Sequence, residues 1–178
     1  MRSVVGAVDV DGDGKKDMIV SNMSEGTISI YRNISISGSV NSSSFASKIN
    51  FSVGLYPYEI SSADLDGDGK LDLVVGNRGD YGTSYTITIL KNNSTYGIIN
   101  SNSFASKIDL VTSNVGPYGS HNAKIADLDG DGKLDIVTLN YSANTISVFR
   151  NISSIGSLLS SGFANRVDFT ISGASAIG

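Results

Sequence analysis

Asp64-Leu65-Asp66-Gly67-Asp68-Gly69-Lys70-Leu71-Asp72, running on into Leu73-Val74-Val75-Gly76-Asn77, decides the fold, because the chain repeats it. The same pattern stands at Asp9-Val10-Asp11-Gly12-Asp13-Gly14-Lys15-Lys16-Asp17 and at Asp127-Leu128-Asp129-Gly130-Asp131-Gly132-Lys133-Leu134-Asp135. The first aspartates of successive copies lie 55 and 63 residues apart, the period of a repeat architecture. Of 15 aspartates, 12 fall in these three clusters, so most of the acidic charge is concentrated there.

The flanks repeat as well. Each cluster runs into an apolar stretch ending in Asn (Met18 to Asn22, Leu73 to Asn77, Ile136 to Asn140). An alternating segment follows (Thr27 to Asn33, Thr86 to Asn92, Thr145 to Asn151), and then a segment opening on Phe45, Phe104 or Phe163. With the short runs before each cluster (Val4 to Val8, Glu59 to Ala63, Ala123 to Ala126), every repeat predicts four strands. In Thr86-Ile87-Thr88-Ile89 the period of two puts apolar residues on one face and polar ones on the other. The second strand is apolar throughout, as expected where both sheet faces are covered. No stretch sustains a 3.6-residue period. The expectation is an all-β chain forming one repeat domain of three units, approximately 1–55, 56–115 and 116–178. Each unit is a four-stranded antiparallel β-propeller blade; a β-sandwich or a linear β array is the alternative.

Asp at positions one, three, five and nine gives a physical reading of the loop. Alternate residues of a tight turn point inward and gather carboxylates, and the sixth-position Gly permits the positive φ that reverses the chain. The carbonyl of the seventh residue (Lys15, Lys70 or Lys133) and the ninth-position carboxylate complete an all-oxygen set, which favours Ca²⁺ over transition metals. Without a cation, carboxylates this close repel one another. An EF-hand is excluded, because position twelve is Val20, Val75 or Thr138 instead of Glu and the flanks are β-branched. A plain Asp-Gly hairpin turn would not require all four aspartates together.

These loops, with their Leu-Asp-Leu-Val-Val-type exit strands, resemble the FG-GAP repeats of the integrin α-subunit propeller and the VCBS repeats of bacterial secreted proteins. The resemblance implies calcium loops joining the first and second strands of each blade. Asp9, Asp11, Asp13 and Asp17 would bind one ion, Asp64, Asp66, Asp68 and Asp72 a second, and Asp127, Asp129, Asp131 and Asp135 a third. Gly54-Leu55-Tyr56-Pro57 and Gly116-Pro117-Tyr118-Gly119 stand where that family carries its Phe-Gly and Gly-Ala-Pro signature. The resemblance also points to an extracellular or cell-surface parent protein; Met1 to Gly6 holds no signal-peptide apolar region.

Composition bounds the rest. The chain has no Cys and one His, so thiol chemistry is excluded and any His chemistry would run through His121. A net charge of −4 without a basic stripe argues against nucleic acid, and no apolar run is long enough to span a membrane as a helix. The expected role is a non-catalytic, calcium-binding scaffold or interaction module. A lectin-like module for carbohydrate or protein is the alternative, and a propeller-based lyase or hydrolase stands further off. Tyr56, Tyr58 and Tyr118 precede the inner strands and suit a channel mouth or plain aromatic packing. Arg78-Gly79-Asp80 is an integrin-ligand tripeptide, a weak signal standing alone. Asn-x-Ser/Thr sequons occur at Asn22, Asn33, Asn41, Asn92, Asn93, Asn140 and Asn151, as an Asn- and Ser-rich chain produces by composition.

Closed propellers hold roughly four to eight blades. Three blades leave two apolar faces open to water, and Gly173 to Gly178 stops near the repeat phase at which Val4 to Val8 begins. The expected partner is therefore another copy of the chain, head to tail. A six-bladed homodimer is favoured and a nine-bladed homotrimer is the runner-up.

Overall fold

The computed structural model describes residues 5–80, 85–113 and 120–171. Strands β1 (Val5–Val8), β2 (Asp17–Asn22), β3 (Thr27–Tyr31) and β4 (Ile49–Ser52) form one antiparallel sheet in chain order. A second sheet joins β5 (Pro57–Ala63), β6 (Asp72–Asn77), β7 (Tyr85–Leu90) and β8 (Ile108–Ser113) in the same way. The third joins β9 (Ser120–Ala126), β10 (Asp135–Asn140), β11 (Thr145–Phe149) and β12 (Val167–Thr170). Two 3₁₀ turns, Met23–Glu25 and Ser160–Gly162, are the helical elements among the described residues. None is long and apolar enough to cross a membrane. The chain is all-β, in three four-stranded antiparallel units as expected of three propeller blades.

The first strands adjoin, β1 packing beside β5 and β5 beside β9. Ser61 Oγ donates to the Ala123 carbonyl at 3.0 Å, and Lys124 Nζ lies 2.7 Å from Glu59 Oε1 across the same seam. Apolar side chains fill the space between consecutive sheets. Ile19, Ile28, Ile30 and Phe51 of the first sheet meet Leu73, Val75, Leu90 and Phe104 of the second. Val74, Ile87, Ile89 and Leu110 of the second meet Ile136, Phe149 and Phe163 of the third. The centre strand thus sends alternate side chains into two different cores. All six residues of β6 are buried, whereas β2 and β10 keep partly exposed positions. The expectation of a strand covered on both faces is met in full only by the middle sheet, the one flanked on both sides.

One strand feature goes beyond the sequence pattern, and one strand expectation needs correction. The polar face of the third strand does not meet water: Ser29, Thr88 and Ser147 are buried. The Asn that ends each second strand explains this. Asn77 Nδ2 donates to Thr86 Oγ1 at 3.1 Å and to Thr88 Oγ1 at 2.8 Å, and Thr88 passes its own proton to Asp109 Oδ1 at 2.5 Å. Asn22, Ser29 and Asn50 repeat this relay in the first sheet, and Asn140, Ser147 and Asp168 in the third. A buried polar face is stable when each donor finds an acceptor. The fourth strands also start later than the Phe. Phe45, Phe104 and Phe163 make isolated bridges to Asn33, Asn92 and Asn151, and regular pairing resumes three to four residues on, at Ile49, Ile108 and Val167.

Candidate metal centres

Each acidic loop joins the first and second strands of its sheet. The ninth-position aspartate anchors the loop from the first residue of the second strand. Asp72 Oδ2 accepts the Leu65 N–H at 3.0 Å and Oδ1 accepts the Asn92 N–H at 2.8 Å. Asp17 holds Val10 and Asn33 in this way, and Asp135 holds Leu128 and Asn151. One carboxylate thus ties its loop to the end of the third strand. Burial, opposed by these N–H groups and helped by Asp66, raises the Asp72 pKa to about 6. Burial raises Asp17 as well, with Asp11 and Asp13 adding to it.

The reversal uses two glycines. Gly67 and Gly69 have φ of 70° and 85°, and the fourth- and sixth-position glycines of the other loops are likewise left-handed. The freed amides turn inward: Gly14, Gly69 and Gly132 each donate 2.9 Å bonds to the first-position aspartate. The Lys15, Lys70 and Lys133 amides donate to the fifth-position aspartate at 2.9 to 3.0 Å.

Carboxylate oxygens of Asp9, Asp11 and Asp13 lie within 4.8 Å of one another, as do those of Asp64, Asp66 and Asp72, and of Asp127, Asp129 and Asp135. Asp17, Asp68 and Asp131 stand outside these groups, Asp17 on its two amides and the other two on a basic side chain. That basic residue carried no role in the sequence reading. Arg32 places Nε 2.5 Å from Asp11 and Nη2 2.9 Å from Asp13. Lys91 pairs with Asp66 and, at 2.8 Å, with Asp68; Arg150 pairs with Asp129 and, at 3.1 Å, with Asp131. The signal was present: the residue before Asn33, Asn92 and Asn151 is basic every time. Against the desolvation that opposes it, Lys91 holds the Asp68 pKa below the usual carboxylate range. Arg150 does the same for the exposed Asp129.

One cation does not balance four carboxylates. The donors are all hard oxygens, and Asp9 Oδ1 and Asp66 Oδ1 are buried without a hydrogen-bond partner. A buried acceptor in that state is costly, and a divalent cation would relieve it. The residues present therefore fit a calcium ion.

Consecutive sheets are clamped at these loops. Asn92 Nδ2 and Ser94 Oγ both donate at 2.8 Å to the Val10 carbonyl, and the Gly97 N–H reaches the Asp11 carbonyl at 3.1 Å. One repeat on, Asn151 Nδ2 donates to the Leu65 carbonyl at 2.7 Å and the Gly156 N–H to the Asp66 carbonyl at 2.8 Å. Three sequons are thereby reassigned: Asn92 and Asn151 are buried parts of the clamp, and Asn140 is buried in the polar relay. The Arg78 and Gly79 amides are held by the Tyr56 and Leu55 carbonyls, with Gly79 buried and Asp80 exposed. Tyr56 adopts a left-handed φ of 52° at the tip before β5 and is partly exposed. Gly116 to Gly119, including Tyr118, and the His121 side chain lie outside the described residues.

Three blade-like sheets, each with an acidic loop between its first and second strand that could hold a metal ion, place the chain among all-β repeat proteins. Residues 9–75, from the first loop through most of the second exit strand, match the family model described as FG-GAP-like repeat. No curated protein and no solved structure matches the chain.

Proposed function

We propose that this chain is a non-catalytic, calcium-stabilised β-propeller interaction module of an extracellular or cell-surface protein, with one Ca²⁺ in each acidic loop. The observation that carries the reading is the threefold recurrence of a converging all-oxygen cluster that retains buried, unpartnered carboxylate oxygens in two of its copies. Asp9, Asp11, Asp13 and Asp17 hold the first ion. The second belongs to Asp64, Asp66, Asp68 and Asp72, and the third to Asp127, Asp129, Asp131 and Asp135. The carbonyls of Lys15, Lys70 and Lys133 complete the sets. The ion neutralises carboxylate repulsion and locks the turn between the first two strands. The FG-GAP-like match supports an interaction role, as such repeats are generally non-catalytic modules. Extracellular modules bind calcium at roughly 10⁻⁴ to 10⁻³ M, which suits such a setting.

Calorimetric titration of the chelator-stripped chain tests this. Three calcium ions per chain are expected, and two for Asp68→Ala. Each site at 100 times its Kd adds about 2.7 kcal/mol to native stability, so EDTA lowers Tm substantially. A Tm indifferent to chelator, with no heat on titration, overturns the reading.

A second reading, lectin-like recognition of a glycan or a protein segment, draws on an open cleft of about 420 Å³ beside the first two loops. Asp9, Asp11, Lys70, Ser94 and Tyr96 line it, and Tyr96 is largely exposed. Binding on a glycan array that is lost in Tyr96→Ala would favour that reading.

A further inference from the structure

Among the described residues the clamp between sheets is built twice, with one spare copy of each half. The clamping half is the loop after the third strand: 92–99 in the second sheet and 151–158 in the third. Its counterpart in the first sheet, 33–40, has the same form but grips none of the described residues of another sheet. The Ser39 N–H bonds the Ile36 carbonyl at 3.0 Å, as Ile98 bonds Thr95 and Ser157 bonds Ser154, and Gly38 is left-handed like Gly97 and Gly156. Asn33 Nδ2 bonds the Lys16 carbonyl of its own loop, as Asn92 and Asn151 bond Leu71 and Leu134. The second bond those two make, to the preceding sheet, has no counterpart at Asn33 among the described residues. Val40 is 81% exposed, whereas Leu158 at the matching position is 4% exposed.

The receiving half is the acidic loop with the face of its sheet beside it. In the third sheet this half is bare. Leu128 is 52% exposed, against 2% for Val10 and 3% for Leu65. Phe169 is 55% exposed, whereas Phe51 at its position is 8% exposed and meets Phe104 edge-on at 4.9 Å. The first sheet offers a partly buried Phe45 where the second has Phe104. Each spare half therefore lacks what the other supplies.

We propose that a second copy of this chain fills the gap. Loop 33–40 of one copy seats on loop 127–135 of the next, repeating the internal clamp in trans. Asn33 Nδ2 and Ser35 Oγ donate to the Leu128 carbonyl and the Gly38 N–H to the Asp129 carbonyl. Val40 enters the interface, and Phe45 meets Phe169. The occupant is a copy of this chain because both complementary surfaces belong to one sequence and match an interface it already makes internally. Contacts of this kind are head to tail and form rings when the rotation between copies closes. Two copies, giving six sheets, is the expected state, with three copies and nine sheets next. The inference rests on hydrogen bonds and apolar contact and is independent of the calcium reading.

Sedimentation equilibrium of the whole chain in calcium-containing buffer tests it, with Val40→Asp and Phe169→Asp as variants. Both side chains are exposed in the single chain, so circular dichroism is expected to show unaltered strand content. The unmodified chain is expected to form a dimer or a trimer. Each variant alone is expected to associate at least tenfold more weakly. Mixed together, they regain one intact contact and form a 1:1 pair more tightly than either variant alone. A species of 18.6 kDa at every concentration, or a mixture no tighter than its components, overturns the proposal.

Discussion

The second and third acidic loops are the same nine-residue sequence in different surroundings. Asp64 to Asp72 and Asp127 to Asp135 differ in burial and not in residue type: every residue from first to ninth is identical. Yet Leu65 and Asp66 are buried and Leu128 and Asp129 exposed. The difference comes from the 151–158 loop of the following sheet, which lies on the former and has no counterpart on the latter among the described residues. Burial of these loops is thus a property of the interface between sheets, and the local sequence alone does not determine it. The same holds for the fourth strands, where Phe51 and Phe169 occupy one repeat position in and out of a core.

The largest expected break in this comparison is Phe51→Ala against Phe169→Ala. Truncating a buried Phe costs about 3 to 5 kcal/mol, while an exposed side chain away from any contact changes stability by less than about 0.5 kcal/mol. Urea unfolding at a concentration low enough to keep the chain monomeric should separate the two variants by that margin. At high concentration the Phe169→Ala cost should grow if copies clamp in trans. Equal costs under monomeric conditions would show that the third sheet's face is covered in some other way.

The second effect is in pH. Asp72 has its folded pKa raised from 3.8 to about 6, first by burial. The folded state then holds this proton more tightly than the unfolded state. The contribution is fully present below pH 4 and is lost as pH rises through 6. It amounts to about 3 kcal/mol at 1.36 kcal/mol per unit. In chelator, the unmodified chain should lose stability relative to Asp72→Asn between pH 4 and pH 7. Asp129 runs the other way: Arg150 lowers its pKa, so its contribution is present at neutral pH and is lost in acid. Calcium reverses the Asp72 trend, because a carboxylate must be deprotonated to bind the ion. Parallel profiles for Asp72→Asn and the unmodified chain would show that the buried carboxylate does not titrate in this range.

The third effect concerns the clamp. Asn151→Ala leaves the Leu65 and Leu134 carbonyls without their donor in a buried seam, at a cost of about 1 to 3 kcal/mol. Asn33→Ala removes one exposed bond to Lys16 and, as Asn151→Ala does, the acceptor of the amide two residues on, and should cost well under half as much in the monomer. Chemical denaturation of the two variants measures the ratio, and a larger cost for Asn33→Ala would contradict the assignment of the clamp.

The repeat, the four strands per unit and the acidic loops were legible because each rests on a local rule: spacing, alternation, or glycine at a reversal. What was not legible depends on contacts between repeats. Thr86 and Thr88 alternate with Ile87 and Ile89 whether their polar side faces water or an internal Asn77–Thr88–Asp109 relay, so the period of two does not tell the two apart. Asn92-Asn93-Ser94 has the form of a sequon, and nothing local reveals that its Asn and Ser converge on one carbonyl 82 and 84 residues away. The cations Arg32, Lys91 and Arg150 recur in register but lie 19 to 25 residues beyond the carboxylates they meet. A pairing that distant follows from strand register and cannot be read from loop spacing.

Those basic residues give the smallest and most discriminating contrast. Lys91 is mostly buried against Asp66 and Asp68, whereas Arg150 is half exposed over Asp129 and Asp131. Exposed pairs contribute about 0.2 to 1 kcal/mol and are screened by salt. Removing the cation also removes a competitor for the loop's carboxylates. Arg150→Gln should therefore lower metal-free stability only slightly, with the loss fading at high salt. It should also strengthen calcium binding at the third loop. Lys91→Gln should cost more without metal, because it leaves Asp66 buried without its counter-charge, and calcium should recover more of that loss. Denaturation of both variants with and without calcium separates these terms. If calcium restored the two variants equally, the covered and open loops would be electrostatically equivalent, and their different surroundings would matter for packing alone.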